Sequence, residues 1–224
     1  MYVLYNTEKT ILTAAHCVHD AEAVEVYAGD HDSVRKDSSE VMMEALAEDN
    51  EIIIHPSYDH DELKNDVAII KLPDSLNIGG RYADGAHKID YACLPEQGQK
   101  IRPGTKCWIA GWGQLGEDDD QPQDIQEAEV NMFSDSQCGQ RLGYGFRSQK
   151  DTLICAGDKK DKGQVDICYG DSGGPLMCAV DGQPVVVGVS SWGLNECATP
   201  GEPSAFAEVS ASQHLTWIQS FLEH

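Results

Sequence analysis

Three residues of this 224-residue chain have types and settings suited to nucleophilic chemistry. Ser172 lies within Gly170-Asp171-Ser172-Gly173-Gly174-Pro175, a glycine-rich turn that opens an apolar strand. Glycines let the backbone adopt positive φ and turn successive N–H groups inward, which makes a donor pocket for a developing oxyanion. His16 follows Thr13-Ala14-Ala15 at the end of an apolar run, among small residues that leave its imidazole uncrowded. Asp66 opens Asp66-Val67-Ala68-Ile69-Ile70-Lys71-Leu72, and a carboxylate entering an apolar core has to be met by hydrogen-bond donors. Singly, each has a plainer structural reading: a turn serine, a strand-end histidine, a strand-leading acid. Together they offer a hydroxyl nucleophile, an imidazole base and an orienting acid, in the order His, Asp, Ser with separations of 50 and 106 residues.

The elements that must position them are strands. Short β-type runs occur at Ile11–Ala15, Val24–Ala28, Glu51–His55, Asp66–Leu72, Lys106–Gly111, Glu127–Met132, Thr152–Ala156, Pro175–Val180, Pro184–Ser191 and Ser204–Val209. Asp181-Gly182 between two of these is a hairpin turn signal. At the C-terminus Ser210 or Ser212 is positioned to cap a helix presenting Leu215, Ile218 and Leu222 on one face. The expected class is all-β with one terminal helix, and no solenoid-like repeat is visible. Glycine, proline and polar residues near Glu96–Thr105 separate two strand-rich halves, 1–104 and 105–224.

Composition narrows the partners. Sixteen basic against 38 acidic residues give a formal charge of −22, which excludes nucleic acid because phosphate binding needs clustered Lys and Arg. The charge serves solubility, or a field that attracts cationic substrates. No apolar run approaches the roughly 20 residues of a membrane-spanning helix. Eight cysteines without a CxxC pair or Cys/His zinc spacing point to disulfides and an oxidising compartment. Residues 1–15 hold no apolar core of a secretion signal, so a secreted protein would carry its signal upstream of Met1.

The sequence resembles the chymotrypsin/trypsin family of serine proteases. The resemblance runs from about Ile11 to the C-terminus and is carried by Thr-Ala-Ala-His-Cys, Asn-Asp-Val-Ala and Gly-Asp-Ser-Gly-Gly-Pro, with Trp108…Gly111-Trp112-Gly113 and Ser190-Ser191-Trp192-Gly193. It implies two antiparallel β-barrels packed face to face, His16 and Asp66 coming from the first and Ser172 from the second. It also implies an endopeptidase that acts on protein or peptide substrates, meets protein inhibitors, and is secreted as a zymogen; activity is expected at neutral to mildly basic pH, because His16 has to be neutral to accept a proton. In that scheme Ser172 attacks the scissile carbonyl, His16 carries the proton, Asp66 fixes the imidazole, and the N–H groups of Gly170 and Ser172 form the oxyanion hole.

Further roles follow from the same resemblance. Asp166 matches a pocket-floor acid selecting Arg or Lys; its plainer reading is a surface-loop acid. Ser191 matches the serine beside the buried acid, and Ser191, Trp192 and Gly193 the edge that pairs with substrate backbone. Ser204 stands where a wall glycine is usual and should narrow the slot, while Glu196 matches the pocket rim, where it would favour a second basic residue. Eight cysteines allow 105 pairings; the resemblance implies Cys107–Cys178, Cys138–Cys155 and Cys168–Cys197. No cofactor is expected, with Asp30 and Glu44 as weak calcium candidates because an insertion-like shift around Ser33–Glu40 disturbs the alignment.

Two rivals stand beside the protease. A non-catalytic binding module on the same scaffold is disfavoured by the intact His, Asp and Ser; a lipase-type hydrolase is disfavoured because there the His comes last. The resemblance further implies that a segment upstream of Met1 supplies strands, the partners of Cys17 and Cys93, and an ammonium group pairing with Asp171. On that expectation residues 1–224 alone are inactive; a divergent protein with two free thiols, or a Cys17–Cys93 bridge, is the competing reading.

Overall fold

The computed structural model describes residues 2–3, 8–35, 40–79, 89–116, 119–158, 165–194, 197 and 199–222. In the first half, β1 (Tyr2–Val3), β2 (Thr10–Thr13), β5 (Ile52–Ile54) and β6 (Ala68–Lys71) form one antiparallel sheet in the order β1-β2-β6-β5. β-Branched residues suit these pleated, buried positions: Ile11 faces Ile70 and Leu12 faces Ile69, and all four are buried. A separate hairpin joins β3 (Ala23–Ala28) to β4 (Val41–Leu46).

The second half closes on itself. Strands β7 (Lys106–Gly111), β8 (Gln126–Met132), β9 (Leu153–Gly157), β10 (Pro175–Val180), β11 (Gln183–Trp192) and β12 (Ser204–Glu208) form a barrel in the order β10-β11-β12-β9-β8-β7. Closure removes the unpaired edges that an open sheet exposes. Among the described residues ring closure is complete only in this half; the first consists of the four-stranded sheet and the hairpin.

An apolar cluster joins the halves: Leu12, Ala14, Val67 and Ile69 pack with Val186, Val189, Ala207, Leu215 and Ile218. The two elements that carry His16 and Asp66 are thus anchored on the wall of the second barrel. Disulfides Cys107–Cys178, Cys138–Cys155 and Cys168–Cys197 are formed, and Cys17 and Cys93 are not bridged to each other.

Three helices differ from or refine the expectation. The terminal helix α3 (Ser212–Gln219) buries Leu215 and Ile218, but its cap is Ala211. Ser210 is turned inward instead, its hydroxyl lying 2.9 Å from both the Gln99 carbonyl and Glu208 Oε1, which share its one proton as acceptors. The short helices α1 (Asp135–Arg141) and α2 (Gly143–Ser148) were not anticipated. α1 begins with a reciprocal capping box in which Ser134 Oγ accepts from Gln137 N–H and Gln137 Oε1 accepts from Ser134 N–H.

Candidate active site

His16 sits on the single 3₁₀ turn Ala15–Cys17 directly after β2. Asp66 lies just before β6 and has no exposed surface. It is met by three donors: His16 N–H at 2.8 Å, His16 Nδ1 at 2.7 Å and the Ser191 hydroxyl at 2.6 Å. These donors supply what a buried carboxylate needs, and they define the tautomer: Nδ1 keeps its proton and Nε2 is left as the basic nitrogen.

Asn65 prepares this geometry. Its φ of 50° is a left-handed conformation that asparagine tolerates better than most residues. Its side chain holds that conformation by donating to the Ser57 carbonyl at 2.8 Å and accepting from Gln213, while His214 Nε2 lies 3.1 Å from Asn65 Oδ1. His214 is fully buried, and burial pushes its pKa down to about 4. The α3 helix is thereby tied to the residue preceding Asp66.

Ser172 is exposed on the turn before β10. Gly170 and Gly173 have φ of 99° and 74°. A Cβ on Gly173 would overlap Thr13 Oγ1 and stand 3.1 Å from Ala14 N and 3.3 Å from Cys17 Sγ, so this turn packs directly on the one bearing His16. The N–H groups of Gly170 and Ser172 donate no hydrogen bond among the described residues, whereas Gly173 N–H donates to Ser190 O at 2.9 Å and Asp171 N–H to Cys168 O at 3.0 Å. The Asp171 carboxylate points the other way, accepting from Gly113 N–H at 2.8 Å and Cys168 N–H at 3.0 Å. Side chains at Gly111 or Gly113 would overlap that carboxylate, which gives the Gly-Trp-Gly run its steric reason.

No hydrogen bond joins Ser172 to His16 among the described residues. His16 Nε2 faces Cys17 Sγ at 3.5 Å instead. Burial lowers the His16 pKa, but the hydrogen bonds to Asp66 and Cys17 and the electrostatic effect of the same two residues outweigh it and raise the value from 6.5 to about 10.

A slot is lined by Ser172, Ser191–Gly193, Ser204 and Asp166. Ile167, Tyr169 and Leu194 also line it, and no sequence motif marked them. Ser204 Oγ donates to Asp166 Oδ1, which also accepts from Ile167 N–H at 2.8 Å. Trp192 continues into a second depression with Leu63, Tyr144 and the acids Asp61 and Glu62. Glu196 lies outside the described residues.

The calcium candidates are not brought together. The hairpin register sets Glu44 opposite Glu25, whereas Asp30 lies two residues beyond the Ala28–Val41 end of the pairing. Among the described residues no group of three or more His, Cys, Asp and Glu is arranged to hold a metal.

A family model described as Trypsin matches residues 3–218. The chain is 34% identical to Trypsin-1 of Astacus astacus over 97% of its own length and 85% of that protein. It is 36% identical to human Serine protease 56 over 93% of this chain and 32% of that protein, and 32% identical to bovine Coagulation factor XI over 93% and 31%. It therefore spans about a third of the length of the latter two. With the match covering nearly every residue, this chain belongs to the trypsin family of serine proteases.

Proposed function

We propose that the chain is a serine endopeptidase that cleaves after Lys or Arg through an acyl-enzyme. The observation that carries the reading is the buried Asp66 holding His16 Nδ1 at 2.7 Å beside a glycine turn that exposes Ser172 and leaves the N–H groups of Gly170 and Ser172 without an acceptor among the described residues. Ser172 Oγ attacks the carbonyl carbon, and its proton passes to His16 Nε2. The negative oxygen is received by Gly170 and Ser172 N–H groups, a donor class worth about 3–4 kcal/mol of barrier each. His16 then protonates the leaving amine, and water repeats the sequence to release the acid. Asp66 stabilises the imidazolium throughout.

Asp166 in the lining of the slot supports selection of a cationic side chain by charge pairing under reduced solvation. Substrates are proteins or peptides, and proteins that fill the slot with a basic residue are its inhibitors. The three disulfides support an extracellular setting. Asp171, aligned with backbone donors behind the oxyanion turn, is assigned to an activating ammonium group.

A fluorophosphonate probe tests the reading. Labelling at Ser172, abolished by Ser172→Ala, supports it. Absence of labelling in both forms would favour a non-catalytic binding module, the reading favoured by the contact of His16 Nε2 with Cys17 rather than with Ser172.

A further inference from the structure

We propose that Ser204 makes the slot select lysine over arginine. The inference rests on Asp166 being the acid of the substrate slot and goes beyond it by naming which cation fits.

Ser204 is the first residue of β12, buried to 1% exposure. β12 pairs with β11 through Ala205 and Trp192, which sets Ser204 opposite the Trp192–Gly193 wall. A Cβ built on Gly193 would stand 3.7 Å from Ser204 Oγ. The hydroxyl therefore projects across the slot, between its wall and its acid, and donates to Asp166 Oδ1.

Two consequences follow. First, Asp166 Oδ1 already accepts from Ser204 O–H and from Ile167 N–H, filling both acceptor positions of that oxygen. A guanidinium gains most from a planar fork on the two oxygens of one carboxylate, and that fork requires an acceptor position on each. Arginine can enter only by displacing Ser204 or by giving up the fork. Second, Ser204 Oγ retains lone pairs after donating its proton. A lysine ammonium is a compact point charge with three rotatable donors, so it can donate to this hydroxyl while remaining within the field of the carboxylate. Lysine is also shorter, and the serine side chain shortens the slot.

The test compares kcat/KM for paired peptide amides that differ only in Lys or Arg at the cleaved position. The full-length enzyme, Ser204→Gly and Ser204→Ala are measured. Lysine should be preferred by the native enzyme, and Ser204→Gly should move the Lys:Arg ratio about tenfold towards Arg. Ser204→Ala keeps most of the volume and loses the hydroxyl; it should lower the lysine value more than the arginine value. Binding to the Ser172→Ala protein gives a readout independent of turnover, with benzamidine standing for the forked cation and cyclohexylmethylamine for the ammonium. The amine should bind more tightly relative to benzamidine before than after Ser204→Gly. Arginine preference in the native enzyme, or a ratio unmoved by both variants, overturns the role of Ser204 alone. Cleavage confined to apolar residues, with neither cation bound, overturns the reading of Asp166 as well.

Discussion

Cys17 Sγ lies 3.5 Å from His16 Nε2, at the ring nitrogen that does not face Asp66. This is the nitrogen that has to take the Ser172 proton. The thiol and Asp66 together raise the His16 pKa to about 10, against the lowering effect of burial. Protonated imidazole accepts no proton, so the acid limb of the kcat/KM profile should lie on the alkaline side of 6.5. Replacing Cys17 by Ala removes its hydrogen bond and its electrostatic effect on the ring, and should move that limb towards lower pH. A profile identical in the two proteins would show that Cys17 does not act on His16.

The same shift has a stability consequence with the opposite sense. The folded-state pKa exceeds the unfolded value of 6.5, so the His16–Asp66 contact contributes fully below about pH 6.5. That contribution is lost as pH rises through about 10. The Tm difference between the native protein and His16→Ala should therefore narrow across this interval, as read by thermal melts at a series of pH values.

Asp66 depends on a convergent set of donors, and their removal should separate catalysis from folding. Asp66→Asn leaves the shape and alters the tautomer of His16, so turnover should drop by about 10⁴-fold. Ser191→Ala removes a 2.6 Å hydrogen bond to a buried carboxylate. That should cost about 1.5–3 kcal/mol, a range set by hydrogen bonds to charged groups and measurable by urea unfolding. A Ser191→Ala protein as stable as the native one would mean that solvent replaces the hydroxyl.

How far the sequence foreshadowed this arrangement depends on the range of the contacts. Strands such as Ile52–Ile54 and Pro175–Val180 were legible because β-branched or alternating residues mark them locally. Val41–Leu46 was not read as a strand, since Met, Glu, Ala and Leu carry little β-propensity and its pairing with Ala23–Ala28 supplies the order. α1 did carry a local signal, Ser134-x-x-Gln137, whereas of the two cap candidates for the terminal helix Ser210 is turned inward by tertiary hydrogen bonds and Ser212 is the first helical residue. Leu63 of the first half shares a depression with Tyr144 and Trp192 of the second only after the halves dock, and no local pattern marks them. The Cys17–His16 contact is between neighbours in sequence, but it is set by ring orientation, which sequence does not encode.

Two glycines of the barrel half isolate packing from backbone strain. Gly173 and Gly182 have similar φ, 74° and 80°. An added Cβ meets nothing within 4 Å at Gly182, whereas at Gly173 it overlaps Thr13 Oγ1 and crowds Ala14 N. Gly182→Ala should cost only the left-handed conformation, about 1 kcal/mol. Gly173→Ala should cost clearly more, about 2–4 kcal/mol, and depress turnover because it separates the Ser172 turn from the His16 turn. Equal losses in urea unfolding would mean that the two turns are not in contact in solution.

Asp166 permits a test that separates local pairing from the field of the whole protein. The formal charge of −22 attracts any cationic substrate, and that attraction is screened as salt shortens the Debye length from about 10 Å at 0.1 M to about 3 Å at 1 M. The pairing inside the slot acts at contact distance and away from bulk water, so it is screened far less. Replacing Asp166 by Ser should lower kcat/KM for Lys and Arg substrates by about a hundredfold or more while leaving a neutral ester substrate nearly unchanged. Raising the salt from 0.1 to 1 M should slow basic substrates in both proteins by a similar factor, leaving the ratio between them intact. If that ratio collapses at 1 M salt, the preference arises from the acidic surface and Asp166 does not define the slot.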